Sequence, residues 1–222
     1  LASPDLTRLY ETGWKMPEPF TVKAADGHTD LYGFMWKPFD FDSTRRYPII
    51  SYVYPGPQTE AIPLEFSVTA AYNVGLAQIG FVVVTFGHRG GSPMRDKWYH
   101  TFGYNNLRDY PLADDKCGIE QLADRFSFID KSKVGIFGHS GGGFMSTAAL
   151  CTYPDFYTAA VSSAGNHDNN IYNQWWGETH HGVREVKSFE KKTVKDSITG
   201  KDTTISVEKI KFETKIPTNI EL

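Results

Sequence analysis

Apolar positions along the chain follow two rhythms, and their order outlines a fold before any chemistry is considered. Phe20 to Ala24 and Thr29 to Lys37 place β-type residues on either side of Asp26-Gly27, which is a hairpin signal. Pro48 precedes Ile49, Ile50, Ser51, Tyr52, Val53 and Tyr54, a third strand that stops at Pro55-Gly56-Pro57. Helical spacing over Val68 to Gln78, with Val68, Ala71, Val74 and Leu76 as apolar members, predicts a helix. The unbroken run Phe81 to Phe86 predicts a strand buried on both faces, as in a parallel sheet. After a glycine-rich, basic loop from Gly87 to Tyr104, Asp109 to Phe128 returns to helical spacing through Leu112, Cys117, Ile119, Leu122, Ala123 and Phe126. Val134, Ile136 and Phe137 then predict a strand, Phe144 to Leu150 a helix ending near Tyr153-Pro154, and Ala159 to Ser163 one more short strand. Such alternation is the pattern of a mainly parallel sheet covered on both faces.

The ends of the chain read differently. Leu1 to Pro19, with Pro17 and Pro19, is a linker or entry segment, and residues 20–222 form one domain. From Arg184 onward Lys, Glu, Thr and Ser dominate, and Thr199-Gly200-Lys201-Asp202 divides two alternating stretches. A charged β-hairpin insertion at about 184–215 and a disordered insertion both fit that composition.

One turn carries chemistry. In KVGIFGHSGGGFMSTAAL, Lys133 to Leu150, a strand ends in Gly138-His139-Ser140-Gly141-Gly142 and a helix follows, with Ser140 at the apex. A nucleophile elbow forces its serine into a strained conformation and needs residues without a Cβ two positions before and after it, so that strand and helix approach closely. Gly138 and Gly142 occupy those positions. Together with the leading antiparallel hairpin, the elbow points to an α/β fold of the α/β-hydrolase type. Within such an elbow His139 is expected to point away from the substrate and to be structural.

Composition narrows the functional classes. A chain of 222 residues with 40% hydrophobic residues can bury one sizeable core. The net charge of -3 gives no electrostatic case for nucleic acid or an anionic membrane. No apolar run is long enough to span a bilayer. Cys117 and Cys151 both fall in predicted helices, so no disulfide framework is indicated and two buried thiols are expected. No cofactor is implied. The chain starts at Leu1 without a signal pattern, and we expect it to be a piece of something longer.

Ser140 is a weak nucleophile unless a base takes its proton and an acid orients that base. In this fold the chain order is Ser, acid, His, on loops after later strands. His167, His180 and His181 follow Ser140, but all precede any later acid-bearing strand. The expectation is therefore that the sequence stops before its acid and base, truncated at the C-terminal end of the sheet.

Four stretches, in order and spacing, resemble the catalytic domain of the prolyl oligopeptidase family of serine peptidases, in its dipeptidyl peptidase IV-like branch. They are YPIISYVYPGP at Tyr47 to Pro57, GFVVVTFGHRGG at Gly80 to Gly91, GIFGHSGGG at Gly135 to Gly143, and AAVSSAG followed by IYNQWWGE between Ala159 and Glu178. The resemblance implies Ser140 as nucleophile, Tyr54 as an oxyanion-hole hydroxyl and the Gly141 N–H as the second donor, which matches the need of a forming oxyanion for two fixed donors. It implies a small P1 pocket, for Pro or Ala, with Tyr172 as one of its tyrosines. The second pocket tyrosine of that branch is replaced by NHDNN at Asn166 to Asn170, which departs from strict proline selectivity. Trp175 and Trp176 either close that pocket, with Trp176 as a substrate contact, or belong to the core. Arg89 resembles the arginine of the family's GRG loop, bracing the active-site rim or merely adding surface charge.

The partners implied are a peptide substrate, an N-terminal β-propeller absent here and the missing part of the hydrolase domain, with a homodimer compatible. A bacterial relative would be exported, to the periplasm or outside the cell. An esterase or acylaminoacyl peptidase of the same fold, and a non-catalytic binding module that keeps the elbow, are the other readings.

Overall fold

The computed structural model describes residues 3–56, 59–104, 106–107, 109–169 and 172–214, with backbone alone at 174, 181, 213 and 214. Pro57, Asn170, Ile171 and the end of the chain from 215 lie outside the described residues. In chain order the elements are α1 (Thr7–Glu11), β1 (Glu18–Lys23), β2 (Asp30–Trp36), β3 (Tyr47–Tyr52), α2 (Asn73–Gln78), β4 (Val82–Phe86), α3 (Lys97–Thr101), α4 (Leu112–Arg125), β5 (Ile129–His139), α5 (Gly141–Thr152), β6 (Tyr157–Ser163), α6 (Gln174–His181), β7 (Val183–Lys195) and β8 (Asp202–Thr214).

Six strands form one sheet in the order β1-β2-β4-β3-β5-β6. The β1–β2 and β2–β4 pairings are antiparallel, and those of β4–β3, β3–β5 and β5–β6 are parallel. The leading hairpin turns where the sequence places it. Asp26 accepts hydrogen bonds from the backbone N–H groups of His28 and Thr29 and from the Thr29 hydroxyl, and Gly27 takes φ 74°. All five residues of β4 are buried, as its continuous run of β-type residues predicts. Val82, Val84 and Phe86 join a core with Ile119 and Leu122 of α4 and Met145, Ala148 and Ala149 of α5. Val83, on the other face, packs with Trp36, Ala70 and Ala77 beside α2. The entry segment is anchored too, since Trp14 is buried and its indole N–H donates to the Val68 carbonyl at 2.9 Å.

Several expectations change in detail. The helix expected over Val68 to Gln78 is confined to Asn73–Gln78, because Ala70 and Ala71 adopt φ of 43° and 57° and break the helical path. The glycine-rich loop contains α3, capped by the Asp96 carboxylate, which accepts from the Tyr99 N–H. The loop after β6 contains α6. The two thiols are not both buried: Cys151 lies exposed in the last turn of α5 and Cys117 is half-buried, and neither is bridged.

The charged segment is a hairpin. β7 and β8, 13 residues each, pair with each other from Val183↔Thr214 to Lys195↔Asp202 and with no strand of the main sheet. On the main sheet, the face that carries α2 stays open beyond that helix. Ile50, Tyr52, Phe137, Ala159 and Val161 line a groove of about 570 Å³ there, and Val161 is 67% exposed. Among the described residues no helix is long and apolar enough to cross a membrane.

Candidate active site

The elbow is built by backbone crowding. Ser140 sits at φ 56° and ψ -117°, between β5 and α5, a conformation that an L-residue holds only when its surroundings impose it. Its N–H donates to the Ser163 carbonyl at 2.8 Å, and its carbonyl accepts from the Phe144 N–H at 2.9 Å. A Cβ on Gly138 would stand 2.3 Å from the Val53 carbonyl oxygen, and one on Gly142 only 2.0 Å from the same atom. Gly141 and Gly143 are as tightly placed, against the carbonyl oxygens of Pro55 and Ser163 at 2.6 and 2.4 Å. Four glycines therefore let β3, β5, β6 and α5 converge on one serine.

Ser140, Gly141 and Tyr54 line one pocket of about 290 Å³, together with Tyr172, Trp175 and Trp176. The structure thus brings together every residue that the sequence singles out for the site. The tryptophans do not belong to the core: Trp175 is 62% exposed, and the Trp176 ring is half-buried against the His180 imidazole, 4.2 Å between centroids. Burial lowers the pKa of His180 from its ordinary value.

Asn166, which opens the stretch standing in place of the second pocket tyrosine, also lines the pocket, as do Leu107, Tyr110 and Phe144, which were not foreseen. Phe144 follows Ser140 by one helical turn, a spacing that could have pointed to it. Tyr110 had no such signal, because its ring is held between Gly90 and Gly103, where an added Cβ would approach it to 2.6 and 2.8 Å. Its buried hydroxyl has no partner among the described residues, and burial, with Glu60 nearby, pushes its pKa up.

Among the described residues, no His, Asp or Glu lines this pocket. His139 turns away and its Nδ1 lies 2.9 Å from the Ser163 hydroxyl. His167 packs by Phe144, with Nε2 3.4 Å from the Ser162 hydroxyl. Of His181 only the backbone is described. Among the described residues, no group of three His, Cys, Asp or Glu side chains is placed to hold a metal ion.

Arg89 is not bare surface charge: it ties the loop after β4 to α4 and to the leading hairpin turn. Its guanidinium holds the fully buried carboxylate of Asp114 through Nε and Nη2, reaches Asp26 at 3.0 Å through Nη1, and stacks on Phe102 at 4.1 Å. The hydrogen bonds to Asp114 raise the arginine's pKa further. Asp26 is shifted the other way. Burial would raise its pKa, but the hydrogen bonds from Thr29 and His28 and the nearby Arg89 outweigh burial and hold it well below the carboxylate range.

Comparison with known proteins agrees with this geometry. The family described as the prolyl oligopeptidase family matches residues 66–198. Human (Homo sapiens) dipeptidyl peptidase 8 is 34% identical over 149 residues, which cover 67% of this chain and 16% of that protein. Prolyl endopeptidase FAP from Mus musculus is 26% identical over 150 residues, 68% of this chain and 19% of its own length. A Bacteroides ovatus crystal structure, provisionally named a dipeptidyl aminopeptidase IV, superimposes with a TM-score of 0.70 at 30% identity, covering 75% of this chain and 24% of that one. The chain thus spans about a sixth to a fifth of the curated relatives named here. With its elbow, its mainly parallel sheet of the α/β-hydrolase type and this match over more than half its length, the chain belongs to the prolyl oligopeptidase family.

Proposed function

We propose that the protein containing this chain hydrolyses peptide bonds through an acyl-enzyme on Ser140, in the manner of a dipeptidyl peptidase with Pro or Ala at P1. The observation that carries this reading is the pocket that the strained Ser140 lines together with Tyr54 and Gly141. Residues 20–222 then form part of a catalytic domain that carries the hairpin as an insertion.

In this reading the Ser140 oxygen attacks the scissile carbonyl, whose oxygen becomes an anion. The Gly141 N–H, at the free amino end of α5, and the Tyr54 hydroxyl each donate to it. A donor that meets the oxygen only once it carries charge lowers the barrier to the chemical step rather than tightening substrate binding. Tyr172, Trp175, Trp176 and Phe144 supply flat apolar walls for a small P1 side chain. Asn166 adds a polar group to that wall, so P1 need not be proline.

A fluorophosphonate probe tests the reading. Full-length protein is expected to label rapidly at Ser140, and Ser140→Ala to abolish both labelling and turnover of Ala-Pro or Gly-Pro amides. The 222-residue chain, with no acid or base lining the pocket among the described residues, is expected to label slowly. A full-length protein that does not label, with the elbow intact, would leave only a binding role. In the active full-length protein, Tyr54→Phe is expected to lower kcat by about 100-fold or more with KM little changed, as for loss of one oxyanion donor.

A further inference from the structure

The first turn of α4 carries two adjacent carboxylates, Asp114 and Asp115, both with no solvent exposure. Asp114 is accounted for by Arg89. Asp115 is held in a separate polar cluster: Oδ1 accepts from the Ser51 hydroxyl at 2.7 Å and lies 3.1 Å from His88 Nε2, and Oδ2 accepts from the Tyr157 hydroxyl at 2.8 Å. Ser51 is fully buried, His88 is 3% exposed and Tyr157 1%. The three partners come from β3, the segment after β4, and β6, so one carboxylate ties three parallel strands to α4. A buried carboxylate is costly unless its oxygens are satisfied, and this one has three partners.

One of those ties leads into the site. Ser51 lies three residues before Tyr54, and each residue between them is also fixed. The Tyr52 carbonyl accepts from the Thr85 hydroxyl at 2.9 Å, and the Val53 N–H donates to the Phe137 carbonyl at 2.9 Å. The Val53 and Pro55 carbonyls fill the space over Gly138, Gly142 and Gly141. β3 has ended by Tyr54, so its side chain is placed relative to Ser140 by how this short run is held.

We propose that Asp115 is a positioning residue for the Tyr54 hydroxyl, acting through Ser51 and the end of β3. This rests on the reading of Tyr54 as an oxyanion donor. It separates two of the three ties by function: the Ser51 arm serves the transition state, while the Tyr157 arm only satisfies the same carboxylate.

The test is a double-mutant cycle on the full-length enzyme with an Ala-Pro amide substrate. Ser51→Ala is expected to lower kcat about tenfold with KM within about twofold, a loss smaller than the ~100-fold that a 1 Å misplacement can cost. Asp115→Asn, which keeps the side chain's size, is expected to show the same split. In a Tyr54→Phe background neither change lowers kcat further, because the group they position is gone. Tyr157→Phe, which removes another donor from the same carboxylate, leaves kcat within about twofold. Equal losses with and without the Tyr54 hydroxyl, or the same loss in Tyr157→Phe, would overturn the proposal by showing a general effect on the fold. A silent Tyr54→Phe in an otherwise active enzyme would overturn the reading of Tyr54 and this inference with it.

Discussion

At the scale of single residues, the glycines separate close approach from mere flexibility. Gly142 has a backbone carbonyl where its Cβ would be, and backbone cannot move aside as a flexible side chain can. Gly75, within α2, has nothing within 4 Å of the corresponding position. Gly142→Ala is therefore expected to destabilise the chain by about 1–3 kcal/mol, the usual cost of overpacking. Gly75→Ala should stabilise it by roughly 0.5–1 kcal/mol through helix propensity alone. Thermal unfolding followed by circular dichroism distinguishes the two. The first pair of elbow glycines was legible in the sequence because a spacing rule names them. The close approach at Gly141 and Gly143 emerged only when β3 and β6 were seen against α5. Tyr110 and Leu107 stayed hidden for the same reason, since their neighbours are distant in the chain.

At the scale of elements, α4 is the beam on which the loop after β4 and the first strand rest. Its N-terminal turn holds Arg89 and the Asp115 cluster, and farther along Gln121 and Arg125 bond the backbone of β1. The Arg89 brace extends to the hairpin turn at Asp26. A carboxylate whose folded-state pKa is depressed contributes stability that is complete above its unfolded value of about 3.9. That contribution is lost as the pH falls from there toward the lower folded value. Stability of the wild-type chain should thus fall on acidification below about pH 4 more steeply than that of Asp26→Asn. Denaturation midpoints between pH 5 and pH 2 (approximate limits on either side of that value) measure it, and parallel curves would remove Asp26 from the account. Periodicity captured β4 and the existence of α4 well, because a buried strand and a long amphipathic helix leave strong patterns. It overran α2, where left-handed alanines stop a helix that composition favours, and it missed α6, whose eight residues are too few to establish a rhythm.

At the scale of the whole molecule, two surfaces are unfinished. β6 ends the sheet with its outer edge unpaired among the described strands, and the groove from Ile50 to Val161 is apolar beside it. Open edges next to apolar faces promote association. The isolated 222-residue chain is expected to self-associate as its concentration rises, and Val161→Lys to shift it toward monomer in sedimentation velocity. A monomer at all concentrations for both would show that the face is harmless as it stands. The β7–β8 hairpin presents another exposed surface, with Phe189, Ile210 and Phe212 uncovered among cross-strand pairs such as Lys187–Glu208 and Lys209–Glu190. Its alternation was readable from the sequence, but composition could not tell a paired ribbon from a solvated one, because burial does not distinguish its two faces.

The hydrogen bond from the Ser140 N–H to the Ser163 carbonyl spans from the elbow to the last residue of the edge strand. A single amide proton at the apex of the elbow therefore keeps time for the strand beside it. Its exchange with deuterium would slow or quicken according to how firmly the end of β6 is docked. A ligand that never enters the pocket, but that steadies β6 from its free side, would leave its mark on that proton before it changed any rate.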